Sequence, residues 1–536
     1  VPRPPLFARR QIAPLGAGLG LAMATGAAAE PPAFTVDPDQ PPSETAGVPV
    51  PPGQIDHAIA QLDGLTTTLM GRSGVPGVAV AVVRDGKPVF AKGFGLRRVG
   101  DSAPVDADTV FQLASVSKSL SATVVARQIG LGGIAWTTPI IRHLPWFALQ
   151  DPWVTEHVTL GDLFAHRSGL PDHAGDDLED LGYDRRQVLE RLRLLPLHAF
   201  RSTYAYTNFG LTAAAEAVAV AAGTDWASLS QTAIYTPLGM ASTSSRFADF
   251  QRRPNHAVNH VKIGDRFEPK YQRQPDAQSP AGGASSSVND MARWMALVLQ
   301  EGAYGGAPIV KTDALLPAAT GQMITDAKGG MAARPSLYGF GFGVGTQPSG
   351  RVALSHSGAF ALGAATTYML IPSLGLGIIV LSNAMPVGMV EAVSASFADL
   401  VQFGTVTRDW LSAYGHLMAG MMAPLGALSG QSPPPNPRPP AALQQYTGVF
   451  GNDYYGPATI QLRSGGLVLS LGPAGTSYPL RHWDGPVFVY APSGENAPDG
   501  SVSAVTFTMA PSGAATAFTN EFYGESGLNS FVRTKS

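Results

Sequence analysis

Leu113-Ala114-Ser115-Val116-Ser117-Lys118-Ser119-Leu120 is the stretch on which the reading of the whole chain turns. It has the form of a helix start. Leu120, Val124, Val125 and Ile129 follow at helical spacing, and Gly130 is expected to end the run. Residues three apart share a helix face, so Lys118 lies one turn on from Ser115 and points the same way. The helix N-terminus then faces whatever the hydroxyl attacks. A serine attacks a carbonyl only when a neighbour removes its proton. Lysine serves as that base only with a lowered pKa, because an ordinary amine near 10.4 costs roughly 4–5 kcal/mol to present unprotonated at neutral pH. The plain alternative is a capping serine followed by a solvated lysine. Two features weigh against it. No other lysine has a serine three residues before it, and Phe111 to Ser119 gives Lys118 an apolar setting.

With 536 residues the chain has room for a large core and more than one domain. A net charge of -3 and the scarcity of basic clusters argue against a nucleic-acid partner. The absence of cysteine excludes disulfides, thiolate zinc sites and lipid attachment through cysteine. Arg9-Arg10 precede an Ala/Gly/Leu-rich stretch from Ile12 to Gly26, and Ala27-Ala28-Ala29 offers a small-residue cleavage site. Residues 1–29 therefore read as a signal peptide, with a periplasmic or secreted location expected. The paired arginines suggest the twin-arginine route, although Ala8 and Gln11-Ile12 fit that pattern poorly. An uncleaved anchor is the competing reading. No later apolar run is long enough to span a bilayer, so no stable membrane span is expected once the signal is removed.

Residues 30–53 are proline-rich and read as a spacer. A helix is expected to carry Ile55, Ile59, Leu62, Leu65 and Leu69 on one face, followed by a hairpin of Val78 to Val82 and Val89 to Phe94 around Asp85-Gly86. From Leu131 to about Thr203 short helical segments take over. Tyr204-Ala205-Tyr206-Thr207-Asn208-Phe209-Gly210 leads into the alanine-rich helix Leu211 to Ala222. Gly282-Gly283 precede a capping box at Ser287-Val288-Asn289-Asp290. Phe340, Phe342 and Val344 read as one strand, and Val352 to Ser355 as another with His356-Ser357-Gly358 at its end. Strands Thr366 to Ile371 and Leu376 to Leu381 and a helix from about Val387 to Phe403 follow.

These elements predict an α+β sandwich, an antiparallel sheet covered by helices on both faces with a helical lobe, over residues 54–425. A proline-rich linker, 426–442, separates it from a small all-β barrel, 443–536, read from six short strands between Tyr446 and Phe518. Tyr454, Tyr455 and Trp483 are expected in the barrel's interior.

Ser115-x-x-Lys118, Tyr206-x-Asn208 and His356-x-Gly358, in that order, resemble the penicillin-recognising serine hydrolases, which include class C β-lactamases, D-alanyl-D-alanine carboxypeptidases, D-aminopeptidases and family VIII esterases. The resemblance spans about residues 54–403 and extends to His166-Arg167-Ser168-Gly169-Leu170 and to Gly282-Gly283. It implies the β-lactamase/transpeptidase fold and an acyl-enzyme on Ser115. Lys118 and Tyr206 would share the proton transfers, and Asn208 would hold the substrate or the lysine. His356, Ser357 and Gly358 would line the substrate site, and the N–H groups of Ser115 and Ala359 would form the oxyanion hole. No metal or organic cofactor is implied, only a small-molecule or peptide substrate. The third motif departs from the Lys-Thr-Gly of class C β-lactamases, since histidine is only partly charged at neutral pH. The barrel resembles the lipocalin-like domains that trail several such hydrolases.

Other patterns carry less. Ser287-Val288-Asn289 is explained by capping, and His173-Ala174-Gly175 falls before Tyr206, out of order. His256 and His260 lack a metalloprotease glutamate and read as surface loop. No Gly-x-Ser-x-Gly elbow supports an α/β-hydrolase. The leading expectation is an exported serine hydrolase acting on a small amide or ester, a D-amino-acid peptide foremost. A promiscuous carboxylesterase or weak β-lactamase, and a non-catalytic penicillin-binding-like protein, are the competing readings.

Overall fold

The computed structural model describes residues 47–325 and 330–534. The expected signal peptide and most of the first spacer lie outside the described residues. Val78, Val80 and Val82 alternate with Ala79, Ala81 and Val83 in strand β1 (Gly77–Arg84), and all six are fully buried. A strand with no polar face needs cover on both sides, and it receives it. The valines join Leu62, Leu69, Ile378, Val380, Val393 and Phe397 in one core. The alternate residues join Leu120, Val124, Met295, Ile379 and Leu381 in another.

Helices α1 (Gln54–Ala60) and α2 (Leu62–Ser73) cover the first face, and helix α3 (Ser117–Leu131) lies on the second. Gly130 lies inside α3, and the left-handed Gly132 (φ 95°) follows its end. Strand β2 (Lys87–Gly95) returns from the Asp85-Gly86 turn. The rest of the sheet comes late in the chain: β3 (Met323–Ile324), β4 (Ser336–Tyr338), β5 (Gly343–Thr346), β6 (Val352–Phe360), β7 (Ala364–Ile371) and β8 (Leu376–Ser382). The order is β2-β1-β8-β7-β6-β5-β4-β3, with every pair antiparallel.

Two expectations in this region are corrected. Phe340 and Phe342 lie in a turn between β4 and β5, closed by Gly339 N–H donating to Phe342 O at 2.7 Å, rather than in one strand with Val344. Glycine at 341, with φ 79°, permits that turn. His356 sits in the middle of β6, not at its end. The strand continues to Phe360 because β7 pairs with it through Phe360–Ala364, whereas pairing with β5 stops at Ser355. Beyond Ser355 that edge has no strand partner, and the turn that carries Ser115 packs over the face of β6 at Gly358.

Helix α4 (Met389–Phe403) packs under the first face, and α5 (Trp410–Met421), which the periodicity analysis missed, lies against it. Glu391 in the first turn of α4 is buried, with Oε2 unpartnered among the described residues, and burial pushes its carboxyl up to about 7. A carboxyl near 4.3 when unfolded binds its proton more tightly when folded, so its contribution to stability is greatest below about pH 4.5 and falls as pH rises to 7. Glu391→Gln is therefore expected to raise stability by on the order of 2–3 kcal/mol at pH 8 and to change little at pH 4.5, read as the urea midpoint at both pH values.

Residues 431–442 carry no helix or strand apart from bends. Beyond them a closed antiparallel barrel of eight strands runs from Gly448–Gly451 to Ser530–Arg533. Two of its strands, Thr476–Asp484 and Ser530–Arg533, were not apparent in the sequence. Its interior is filled rather than hollow. Phe450, Phe507, Phe518 and Phe531 stack through it, with Phe518 and Phe531 centroids 4.7 Å apart, and Tyr454, Tyr455 and Trp483 are buried. The barrel packs on the helical lobe: Tyr183 OH donates to Tyr455 O at 3.0 Å, and Ala474 N–H to Leu181 O at 3.1 Å. No helix among the described residues is long and apolar enough to cross a membrane.

Candidate active site

Ser115 lies in a 3₁₀ turn (Ala114–Val116) that feeds directly into α3. Ala114 before it has φ 46°, a left-handed conformation that costs a non-glycine residue strain and that packing against Phe360 and Ala364 holds in place. One turn on, Lys118 is fully buried. Its Nζ lies 3.1 Å from Ser115 Oγ, 2.7 Å from Asn208 Oδ1 and 3.0 Å from Ala281 O. Burial lowers the amine to about 7, against the pull of the Asp176 carboxylate. Both Asn208 Oδ1 and Ala281 O can only accept. A neutral amine donates its two N–H bonds to them and is left with one lone pair, directed at the serine.

Asn208 and Tyr206 come from the start of the helix Asn208–Ala221. Tyr206 OH donates to Ser115 Oγ at 2.8 Å, and burial raises the phenol far above its ordinary value. Tyr206 is therefore a proton donor, not a phenolate. Asn208 is buried with both ends of its amide occupied, because Nδ2 donates to Asp176 Oδ2 at 2.7 Å. It holds the lysine and leaves no group for a substrate. Asp176 also pairs with His173 Nδ1 at 2.8 Å. Partial burial opposes protonation of that imidazole, but Asp176 and Asp172 hold it up at about 9.

The third motif divides across the two faces of β6. His356 faces Tyr206, with ring centroids 6.4 Å apart. Its Nδ1–H donates to Ser357 O at 2.6 Å, and Nε2 accepts from Tyr338 OH at 2.7 Å. Burial and the nearby lysine hold the ring below its ordinary pKa, so it is neutral and both nitrogens are spent. Ser357 pairs with Thr367 and donates to its Oγ1 at 3.1 Å, on the face that α4 covers. Its side chain thus points away from Ser115, contrary to its expected place in the substrate site, because strand side chains alternate. Gly358 is wedged against the nucleophile's turn: a methyl group there would meet Leu113 O and lie 2.8 Å from Ser115 N. Ala359 follows it on the unpaired edge.

Sequence reasoning missed Asp176, Tyr338 and Ala281, which no motif marks. It set His173 aside on motif order, although His173 belongs to the network behind the lysine. His260 is buried rather than on a surface loop. Its Nδ1–H donates to Asn383 O and its Nε2 accepts from Val99 N–H, so it braces the sheet. The Ser287 cap is half a capping box, because the Asp290 carboxylate turns to Ser242 N and Thr243 Oγ1 instead. Among the described residues no group of three or more His, Cys, Asp or Glu side chains is placed to hold a metal ion.

Comparison with known proteins agrees with this architecture. The chain is 26% identical over 414 residues to an unguisins hydrolase of Aspergillus violaceofuscus, covering 71% of this chain and 73% of that one. It is 25% identical over 386 residues to the esterase EstB of Burkholderia gladioli, covering 64% and 94%. It is 29% identical over 257 residues to penicillin-binding protein 4 of Amycolatopsis lactamdurans, covering 46% of this chain and 65% of that one. The octameric penicillin-binding protein homologue from Pyrococcus abyssi has the same fold, with a TM-score of 0.57 and 17% identity over 89% of this chain and all of that one. Residues 432–528 match a domain of unknown function, DUF3471. Residues 62–402, which hold the Lys118 amine and the Tyr206 phenol bonded to Ser115 Oγ, match the Beta-lactamase family, and the chain belongs to it.

Proposed function

We propose that this protein is a serine hydrolase that forms an acyl-enzyme on Ser115 and hydrolyses a small ester or amide. The observation that carries the reading is the convergence of Lys118 Nζ (3.1 Å) and Tyr206 OH (2.8 Å) on one hydroxyl. Lys118, with its lone pair aimed at Ser115, takes the proton as Oγ attacks the carbonyl carbon. The Ser115 and Ala359 N–H groups stabilise the oxyanion. Tyr206, a phenol at every working pH, relays a proton to the leaving group as the acyl–leaving-group bond breaks. Water then attacks the acyl carbon, Oγ leaves and recovers its proton, and the free acid departs.

The neutral His356, with no N–H left to offer, supports substrates that carry no carboxylate beside the scissile bond. That favours esters and amine-bearing D-amino-acid peptides or amides over β-lactams and carboxypeptidase substrates. Export, read from residues 1–29, is part of the proposal. The test is labelling with a fluorophosphonate and a fluorescent penicillin, beside turnover of p-nitrophenyl esters, D-amino-acid amides and nitrocefin. Fluorophosphonate labelling and ester or amide turnover that vanish in Ser115→Ala are expected, with little nitrocefin turnover. A label that survives the substitution removes Ser115 as nucleophile. A wild-type protein that takes no label and turns over nothing is a binding protein.

A further inference from the structure

The barrel reaches the hairpin that follows the Ala359 strand through the side chain of Glu495. Strand β6 turns into β7 through Ala361-Leu362-Gly363, closed by Gly363 N–H donating to Phe360 O at 2.9 Å. The successive amides of Ala361 and Leu362 point out of this hairpin. Both donate to the carboxylate of Glu495, at 2.7 and 3.3 Å, which reaches across from the barrel loop between Val487–Tyr490 and Ser503–Met509.

Glu495 is itself held. Arg273 Nε lies 3.8 Å from its Oε2, and the same guanidinium pairs with Glu179 and lies 3.9 Å from Asp180. Arg273 also sits over the Phe360 ring, 5.4 Å from its centroid, and Phe360 packs on Ala114, the strained residue next to the nucleophile. Asn496 ties the same loop to Asp180 through two hydrogen bonds, at 3.0 and 3.1 Å. From His356 onward β6 has a strand partner on one side only. Without an acceptor for two adjacent amides, such a hairpin end is free to fray.

We propose that Glu495 is a positioning residue of the acyl-transfer site: it clamps the hairpin end and so fixes the Ala359 N–H relative to the Ser115 N–H. The proposal rests on the reading of Ser115 as nucleophile. It makes the barrel a working part of the site rather than an appended module. Oxyanion donors act through geometry set to fractions of an ångström, so a loosened hairpin slows acylation without weakening substrate binding.

The test uses the full-length chain. Glu495→Gln keeps the shape of the side chain but leaves one of the two amides without an acceptor and removes the charge beside Arg273, which keeps Glu179 and Asp180. Glu495→Asp keeps the charge and shortens the reach. Glu521→Gln is the matched control, because Glu521 is a barrel carboxylate that accepts the Ala427 and Ala504 amides and touches neither β6 nor β7. For Glu495→Gln, fluorophosphonate labelling and kcat for a p-nitrophenyl ester are expected to fall about 10- to 100-fold, with KM within about twofold of wild type. Glu495→Asp is expected to fall between the two, and Glu521→Gln to label at the wild-type rate. A wild-type labelling rate in both Glu495 variants, or an equal loss in Glu521→Gln, overturns the assignment. Labelling untouched by Ser115→Ala overturns the nucleophile, and the Glu495 role with it.

Discussion

Lys118→Met is expected to lower kcat/KM for an activated ester about 10²- to 10⁴-fold while the protein stays folded. Methionine fills the same buried space, so the change removes the base and leaves the packing nearly unaltered. The effect has a pH signature. An amine at about 7 is mostly protonated at pH 6 and mostly free at pH 8, so wild-type kcat/KM rises across that interval and levels off above it. His173, held protonated to about 9, and His356, held neutral, do not titrate there. In Lys118→Met the residual activity is expected to lose this rising limb. A limb that persists in the variant assigns the pH dependence to another group. The measurement is kcat/KM against pH from 5.5 to 9 for both proteins.

The second large effect is steric. Gly358→Ala adds a single methyl group, on a strand whose backbone conformation any residue adopts. Yet the new carbon meets the Leu113 carbonyl, comes within 2.6 Å of Thr366 Oγ1 and lies 2.8 Å from the Ser115 amide nitrogen. Two of these neighbours are backbone and cannot swing away. The Thr366 hydroxyl is committed as well, because it donates to Leu113 O at 2.7 Å. The turn that carries Ser115 must move off the strand, and with it one oxyanion donor. Loss of such a donor costs about 10²- to 10³-fold in kcat, and that loss is expected here, with the far-ultraviolet circular dichroism unchanged. Gly345→Ala, on the neighbouring strand with open space around it, is the control and is expected to retain activity. Wild-type turnover by Gly358→Ala would show that the nucleophile's turn does not depend on contact with β6.

The sequence alone determined the groups that converge, because each sits on a local pattern. Ser115 and Lys118 share a helix face by spacing, Tyr206 and Asn208 open an alanine-rich helix, and His356 and Gly358 share a strand face by the period of two. The hairpin around Asp85-Gly86 was legible for the same reason: turn chemistry and hydrophobic alternation are properties of a few consecutive residues, whereas the burial of both faces of β1 emerged only in the fold. The barrel's last strand, Ser530–Arg533, was not, since a four-residue strand carries too little alternation to stand out.

What only the tertiary structure decided is what those groups do to one another. The lysine's low pKa follows from burial created by segments far apart in the chain, and its lone pair is aimed by a carbonyl at residue 281 and an amide at residue 208. His356 is neutral because burial and the nearby Lys118 hold its pKa down, and Tyr338, eighteen residues before it, and the carbonyl of Ser357 take both its nitrogens. Asp176 and His173 gain their places from a helical lobe with no motif to announce it, and Glu495 reaches the hairpin only because the barrel folds back onto the sheet. Charge state and hydrogen-bond direction depend on every neighbour within a few ångströms, and most of those neighbours are distant in sequence.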